Sequence, residues 1–243
     1  MSIERRSSAL LPAALLALAS LGANAHAAPR AVIELFTSQG CSSCPPADRL
    51  FEKLARDPDV ITLALPVDYW DRLGWKDTLA KHAFTERQVA YSKVRGDGEV
   101  YTPQAVVNGT AHVVGSQRTA IDAGVAKTAA SLAVPVSATR AGDHVAVSVG
   151  AAAGAAKAGT VVLVPYLAER KVRIGRGENA RNTVTYTNIG TDTVPLAAWT
   201  GASVELQVPL QRYKDSDGVV VLLQSGSPER PGAILGAARA SLR

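Results

Sequence analysis

The chain has 243 residues, of which 47% are hydrophobic and 19% are charged, with 20 glycines and 13 prolines. This composition excludes a disordered chain, a collagen-like repeat and a small disulfide-rich scaffold, and the length suits one large domain or two ordinary ones. The net charge of +5 is spread along the sequence, so no nucleic-acid partner is indicated.

The first 27 residues have the pattern of a secretory signal peptide. Two arginines precede an apolar run over Ala9–Ala23, and a small-residue segment ends at Ala27. The apolar run is shorter than the roughly 20 residues that a membrane span needs, although a retained N-terminal anchor stays open as an alternative. We expect a mature protein that begins near Ala28 and is periplasmic or secreted, where disulfides persist.

Strand-like and helix-like segments alternate up to residue 133. Short apolar runs predict buried strands, apolar residues at helical spacing predict helices, and Asn108-Gly109 is a strong hairpin signal. In chain order, the first predicted elements are a strand (Ala31–Phe36), a helix with Pro45 and Pro46 just inside its start and apolar spacing from Ala47, which Asp57-Pro58 ends, and a strand (Val60–Val67). A helical insertion over about 69–98, a hairpin (105–107 and 111–114) and a helix (Thr119–Leu132) follow. This order predicts a mixed sheet flanked by helices.

After residue 134 the pattern changes to short alternating strands separated by Gly, Asn, Asp and Pro. The predicted strands are His144–Val149, Thr160–Pro165, Lys171–Ile174, Thr183–Thr187, Val204–Val208 and Val219–Gln224. We therefore predict an α/β domain over 28–133 followed by an all-β sandwich-like domain over 134–243.

Two cysteines, Cys41 and Cys44, carry the functional argument, and three interpretations are open for them. A bridge that closes so short a loop contributes only about 2 kcal/mol in the chain-entropy picture, so a purely stabilising disulfide is disfavoured. A structural zinc site needs four ligands, and no second cysteine pair or paired histidines follow. A copper(I) carrier that uses both cysteines and one histidine stays open, and the scattered candidates are His82, His112 and His144.

The third interpretation is redox catalysis. Cys41 follows a strand and precedes a helix, where free N–H groups and the positive end of the helix dipole stabilise a thiolate. Cys44 lies one helical turn later and can attack a mixed disulfide formed at Cys41. Hydroxyl groups of Ser42 and Ser43 are candidate hydrogen-bond donors to that thiolate.

The residues around this pair resemble the thioredoxin fold and, more closely, a secreted bacterial family known as DUF1223. The resemblance rests on residues 32–48, Val67-Asp68-Tyr69-Trp70, Gly74-Trp75, Val100-Tyr101-Thr102-Pro103-Gln104, Arg176-Gly177-Glu178-Asn179 and Tyr186-Thr187-Asn188. It spans nearly the whole mature chain. It implies a thioredoxin-like fold, and a reaction only by analogy.

The resemblance also implies roles for residues outside the pair. Thr102-Pro103 matches the cis-proline that faces the cysteines in thioredoxin-like proteins and contacts the substrate, with an ordinary trans proline as the alternative. Glu34 lies one position away from the buried acid of thioredoxin, so it is either a proton relay for Cys44 or bonded elsewhere. Gly40 departs from the pattern, because thioredoxin has an aromatic residue there.

Three aromatic residues of the insertion, Tyr69, Trp70 and Trp75, form either a substrate groove or the core of the insertion. Taken together, these features predict a thiol–disulfide oxidoreductase that acts on protein thiols or disulfides with Cys41 as nucleophile and Cys44 as resolving cysteine. It would need a membrane or periplasmic redox partner and no cofactor beyond its own disulfide. The alternative is a copper(I) carrier or a non-enzymatic interaction module on a thioredoxin scaffold.

Overall fold

The computed structural model describes residues 28–152 and 158–243, so the predicted signal peptide lies outside the described residues. The N-terminal part, residues 28–133, contains β1 (Ala31–Thr37), α1 (Pro45–Leu54), β2 (Val60–Pro66), α2 (His82–Arg95), β3 (Gln104–Val107), β4 (Ala111–Val114) and α3 (Arg118–Thr128). The C-terminal part, residues 134–243, contains β5 (Val136–Ala141), β6 (His144–Val149), β7 (Gly159–Arg173), β8 (Thr183–Gly190), β9 (Val194–Trp199), β10 (Val204–Pro209), β11 (Gly218–Ser227) and β12 (Arg230–Ser241).

The predicted elements of the N-terminal part are all present, with shifted ends. Helix α1 begins at Pro45, with both prolines in its first turn as predicted, because an N–H there has no partner. Helix α3 ends at Thr128, and 129–131 tighten into a 3-10 turn. Residues 108–110 connect Val107 to its partner Ala111, and the N–H of Thr110 donates to the carbonyl oxygen of Val107. The two central residues of this turn, Asn108 and Gly109, both have positive φ (48° and 75°), as a primed turn requires.

In the C-terminal part, the two strands predicted over Thr160–Pro165 and Lys171–Ile174 are wrong as separate elements, since both belong to β7. Along one edge of β7, β9 pairs as far as Leu163 and β8 begins to pair at Tyr166. Pro165 therefore falls in the gap between two partners, where its missing N–H costs no ladder bond. Strands β5, β9 and β12 were not predicted.

Strands from both parts form one nine-stranded sheet in the order β12-β11-β7-β8-β2-β1-β3-β4, with β9 beside β7. Parallel pairing between β2 and β8, at Ala64 and Ile189, joins the two parts. A second sheet has the order β10-β6-β5. The main sheet is thus continuous across the predicted boundary at 133/134, and the division into two domains stays a prediction.

Both faces of the main sheet are covered. Helix α2 packs on one face under both parts, in a core that includes Val32, Phe84 and Val220. On the opposite face, α1 and α3 cover the N-terminal part and the β10-β6-β5 sheet covers the C-terminal part. Strands buried on two faces read as continuous apolar runs, which is the pattern of β1, β2 and β11.

Candidate functional site

The two cysteines lie between the end of β1 and the start of α1. Residues 38–43 form a loop, here called the cysteine loop, and Cys44 occupies the N-cap position of α1. Cys41 and Cys44 form a disulfide with 5.4 Å between their Cα atoms. The disulfide therefore closes at the opening of a ten-residue helix.

The first turn of α1 offers fewer free N–H groups than the sequence predicts. The two prolines have no N–H, and the N–H of Ala47 donates to the carbonyl oxygen of Cys44 at 2.8 Å. In the described part of the chain, the N–H groups of Ser42 and Ser43 donate to no protein acceptor. Stabilisation of a Cys41 thiolate therefore depends on these two groups and on the helix dipole.

Ser43 is the predicted serine that reaches the sulfur. Its hydroxyl oxygen lies 3.4 Å from Cys41 Sγ and 3.5 Å from the carbonyl oxygen of Thr102. Ser42 is exposed, and its hydroxyl makes no hydrogen bond within the described residues. Cys41 is itself only 1% exposed and Cys44 is fully buried.

The peptide bond between Thr102 and Pro103 is cis, so the trans alternative does not apply. Strand β3 pairs antiparallel with β1 and places Gln104 opposite Phe36. Pro103 consequently lies beside the end of β1, next to the start of the cysteine loop. The contact between Ser43 and Thr102 brings this segment to the cysteine pair.

Glu34 does not serve the cysteines, and the relay interpretation is dropped. Its carboxylate accepts hydrogen bonds from Arg87 Nε at 2.8 Å and from the hydroxyl of Tyr91 at 2.5 Å, both on α2. Because side chains alternate along a strand, Ile33 and Leu35 face α1 while Glu34 faces α2. The one-residue offset thus turns the carboxylate toward the opposite face of the sheet.

The acid on the cysteine side is Asp48, which the sequence analysis does not identify. Asp48 lies four residues after Cys44 on α1, and its N–H donates to the Cys44 carbonyl oxygen at 3.1 Å. The side chain is 3% exposed, and its Oδ1 accepts a hydrogen bond from the Thr37 hydroxyl at 2.8 Å. Its Oδ2 is buried without a hydrogen-bond partner in the described residues.

Burial raises the pKa of Asp48 to about 8, and the hydrogen bond from Thr37 only partly offsets this effect. The carboxyl group is therefore protonated over most of the range below neutral pH. A sequence signal was available: Asp48 shares the buried face of α1 with Ala47, Phe51 and Leu54. An acidic residue in the first helical turn is usually explained by its favourable interaction with the helix dipole, so the sequence does not single out Asp48 as buried.

The cysteine loop is held by the segment 69–81 through Gln39. The N–H of Gln39 donates to Asp77 Oδ2 at 2.7 Å, and its side-chain carbonyl accepts from Trp75 Nε1 at 2.8 Å. Asp77 also accepts from the N–H groups of Leu79 and Ala80, which form the turn that leads to α2. The loop is thus connected through Asp77 to the turn that precedes α2.

A second support comes from the C-terminal part. Asn179, in the loop 174–182 between β7 and β8, donates from Nδ2 to the carbonyl oxygens of Gln39 at 3.0 Å and Cys41 at 2.7 Å. Asn179 is buried, and Trp75 packs against Gly175 of the same loop. The motif Arg176-Gly177-Glu178-Asn179, which is distant in sequence, therefore belongs to the site.

The other aromatic and histidine candidates divide by position. Tyr69 and Trp70 are half-buried and pack on the core beneath α2, whereas Trp75 packs with Ile174.

The three candidate histidines lie apart from the cysteines. His82 contacts Asp68, His112 lies between Asp97 and Tyr101, and His144 lies in the second sheet beside Asp143. In the residues that the structure describes, no cluster of three potential metal ligands occurs. Likewise, no helix of the described chain is long and apolar enough to span a membrane.

A family model described as "protein of unknown function (DUF1223)" matches residues 32–224. The chain belongs to the DUF1223 family. The crystal structure of a structural genomics target from Agrobacterium tumefaciens is similar to it, with 38% identity and a TM-score of 0.78 over 88% of this chain and 95% of that chain. No curated protein matches the chain significantly. All the site residues named above from Glu34 to Asn179 fall within the DUF1223 match.

Proposed function

We propose that this DUF1223 protein exchanges disulfides with the cysteines of other proteins. The observation that carries the proposal is the Cys41–Cys44 disulfide at the opening of α1, beside Ser43 and the carbonyl group of Thr102. A disulfide stores two electrons, so the exchange needs no organic cofactor. Thr102 and Pro103 form the adjacent surface on which a substrate chain would lie.

The arrangement of the N-terminal part supports a thioredoxin-like fold. Its strands have the order β4-β3-β1-β2, with α1 and α3 on one face and α2 on the other. The cysteine pair follows β1, and the cis-proline precedes β3. Fold alone does not define an activity, so the reaction is argued from the site.

In the reductive direction, the Cys41 thiolate attacks one sulfur of a substrate disulfide. A Cys41–substrate bond forms, the substrate disulfide breaks, and the released substrate thiolate takes a proton from water. Cys44 then loses its proton and attacks Cys41 Sγ, which expels the second substrate thiolate. The protein dithiol is oxidised to the disulfide and the substrate disulfide is reduced by two electrons. The reverse sequence oxidises a substrate dithiol.

The second step requires a group that takes the proton of Cys44, because Cys44 is fully buried. Asp48 lies one helical turn away on the same helix, and its Oδ2 is free of other hydrogen bonds within the described residues. We assign this proton to the ionised fraction of Asp48: a pKa of about 8 leaves a minority of the carboxyl groups charged at neutral pH and favours retention of the proton once it is taken.

Repeated turnover needs a second dithiol or disulfide protein in the same compartment. We propose the periplasm or the extracellular space, because the segment 1–27 has the pattern of a signal peptide. The mass of the protein recovered from the periplasm tests this, since removal of the signal would give a chain that begins near Ala28. Recovery of the uncleaved chain from the cytoplasm would contradict it.

The reaction is tested by comparing Cys41→Ser with Cys44→Ser, which differ only in which sulfur is removed. We expect the wild-type protein to accelerate insulin reduction by dithiothreitol, and both variants to lose that acceleration. Only Cys44→Ser should accumulate a mixed disulfide with insulin, detected by mass spectrometry, since it keeps the nucleophile but lacks the resolving thiol. Activity retained in Cys41→Ser would refute the assignment.

A further inference from the structure

Cys41 is too buried in this structure to reach a disulfide on another protein. Only 1% of the residue is exposed, although its neighbours Ser42 and Ser43 are exposed. Attack on a protein disulfide needs the sulfur to approach another sulfur along its bond axis, which requires room for the substrate backbone. Some part of the surrounding structure must therefore move.

The contacts around Cys41 form a closed circuit. Ser43 Oγ contacts Cys41 Sγ at 3.4 Å and the carbonyl oxygen of Thr102 at 3.5 Å. The hydroxyl of Thr102 in turn accepts a hydrogen bond from Trp70 Nε1 at 2.8 Å. Trp70 then packs on Gly40, the residue directly before Cys41.

Gly40 is explained by this packing and not by its backbone conformation. A Cβ atom placed on Gly40 would lie 3.0 Å from Trp70 Cβ, which is tighter than nearly all real contacts, whereas its φ is not in the left-handed region. The absence of a side chain at position 40 therefore makes room for Trp70. Trp70 comes from the segment after β2, and its Cβ atom and carbonyl group lie against position 40, directly before Cys41.

The hydrogen bond between Trp70 and Thr102 is the contact through which the circuit can open. Trp70 and Thr102 are half-buried and belong to different segments, one after β2 and one before β3. Of the other contacts, that between Ser43 and Cys41 lies within the cysteine loop, Trp70 packs on the backbone at Gly40, and the contact of Ser43 Oγ with the Thr102 carbonyl oxygen is long, at 3.5 Å. A single neutral hydrogen bond contributes modestly, so thermal opening is accessible.

We propose that Trp70 is a specificity-determining residue: its hydrogen bond to Thr102 restricts access of protein disulfides to Cys41 while low-molecular-mass disulfides still react. This inference rests on the proposed exchange function. A small disulfide needs only a slight displacement of the circuit, whereas a polypeptide needs Trp70 and Thr102 to separate. Substrates are therefore selected by how well their chain replaces the hydrogen bond between Trp70 and Thr102.

The test uses Trp70→Phe, which keeps the Cβ atom that packs on Gly40 and an aromatic side chain but removes the N–H donor, and Thr102→Val, which removes the acceptor. We expect each variant to raise the rate of insulin reduction about fivefold, the factor for losing one hydrogen bond of typical strength. In Trp70→Phe, glutathione disulfide reduction should change less than about twofold. The double variant should show no further gain, because both substitutions remove the same bond. Trp199→Phe is the matched control, since it removes an indole N–H that donates to Gly150 between the two sheets.

A second measurement does not depend on exchange activity. In reduced Cys44→Ser protein, addition of Trp70→Phe should accelerate alkylation of Cys41 by a polyethylene-glycol maleimide about fivefold and by iodoacetamide less than about twofold. Equal factors for large and small reagents, or no change with either, would overturn the specificity role. If the wild-type protein reduces neither insulin nor glutathione disulfide while the alkylation difference is present, the proposed function fails and the access role of Trp70 stands.

Discussion

Asp48→Asn isolates the buried carboxyl group beside the cysteine pair. Asparagine has nearly the same shape as aspartate and still accepts the hydrogen bond from Thr37, but it cannot ionise. Its amide group replaces the unpartnered Oδ2 and adds a cost that does not vary with pH. Any difference in pH dependence between the two proteins therefore reports the titration of Asp48.

The sign and size follow from the shifted pKa. Burial raises the pKa of Asp48 from 3.8 to about 8, so between these values the unfolded chain releases a proton that the folded protein keeps. The contribution of Asp48 to stability is complete below pH 3.8 and is lost as pH rises through the folded pKa. The loss is about 1.4 kcal/mol per pH unit, or about 3 kcal/mol between pH 5 and pH 7.

Urea unfolding of the oxidised wild type and the oxidised variant at pH 5, 6 and 7 measures this difference. We expect the wild type to lose about 3 kcal/mol more than Asp48→Asn over that interval, because all other titrating groups are common to both. Resolution of the mixed disulfide should also slow in the variant, by roughly 100-fold, if Asp48 accepts the Cys44 proton. Parallel stability curves would refute the protonated state, and an unchanged resolution rate would refute the proton transfer.

Two further substitutions test what holds the site. Glu34→Gln leaves the Arg87 guanidinium, 6% exposed, without its carboxylate. We expect the free energy of unfolding in urea to fall by about 3–5 kcal/mol, and the double variant Glu34→Gln with Arg87→Met to recover part of this loss. A loss below about 1 kcal/mol would contradict a buried ion pair. Asn179→Asp places a carboxylate against the Cys41 carbonyl oxygen, so the pKa of the Cys41 thiol, followed by thiolate absorbance, should rise. Asn182→Ala, at an exposed position in the same loop, is the control, and equal thiol pKa values in the two variants would show that Asn179 does not act on Cys41.

Local pattern was sufficient for the elements that carry the cysteines. The apolar run of β1, the helical spacing of α1 and the turn at Asn108 and Gly109 are all short-range signals, and the structure contains each of these elements. The position of Pro103 was predictable from the resemblance to thioredoxin-like proteins, because it precedes a recognisable hairpin. These features depend on a few neighbouring residues, so one chain without its folded context is enough to find them.

Partners distant in sequence were not predictable in this way. Asn179 reaches the Cys41 carbonyl across 138 positions, and Arg87 Nη2 reaches Gln224 across 137. The sequence pattern also predicted two strands where β7 is one, with a break at Pro165. A proline is tolerated inside β7 because β9 and β8 pair on either side of it, and only the order of the strands in the sheet decides that arrangement. Pairing between strands is a property of the whole sheet, and no local window contains it.

The amino-acid sequence by itself determined the covalent chemistry available, namely two sulfurs one turn apart between a strand and a helix. Tertiary structure alone decided which acid faces them, because a single position along β1 separates the face of α1 from that of α2, and burial is decided by what packs there. The same is true of the surroundings of Cys41, because the packing of Trp70 on Gly40 and the hydrogen bond from Trp70 to Thr102 join segments that are distant in sequence.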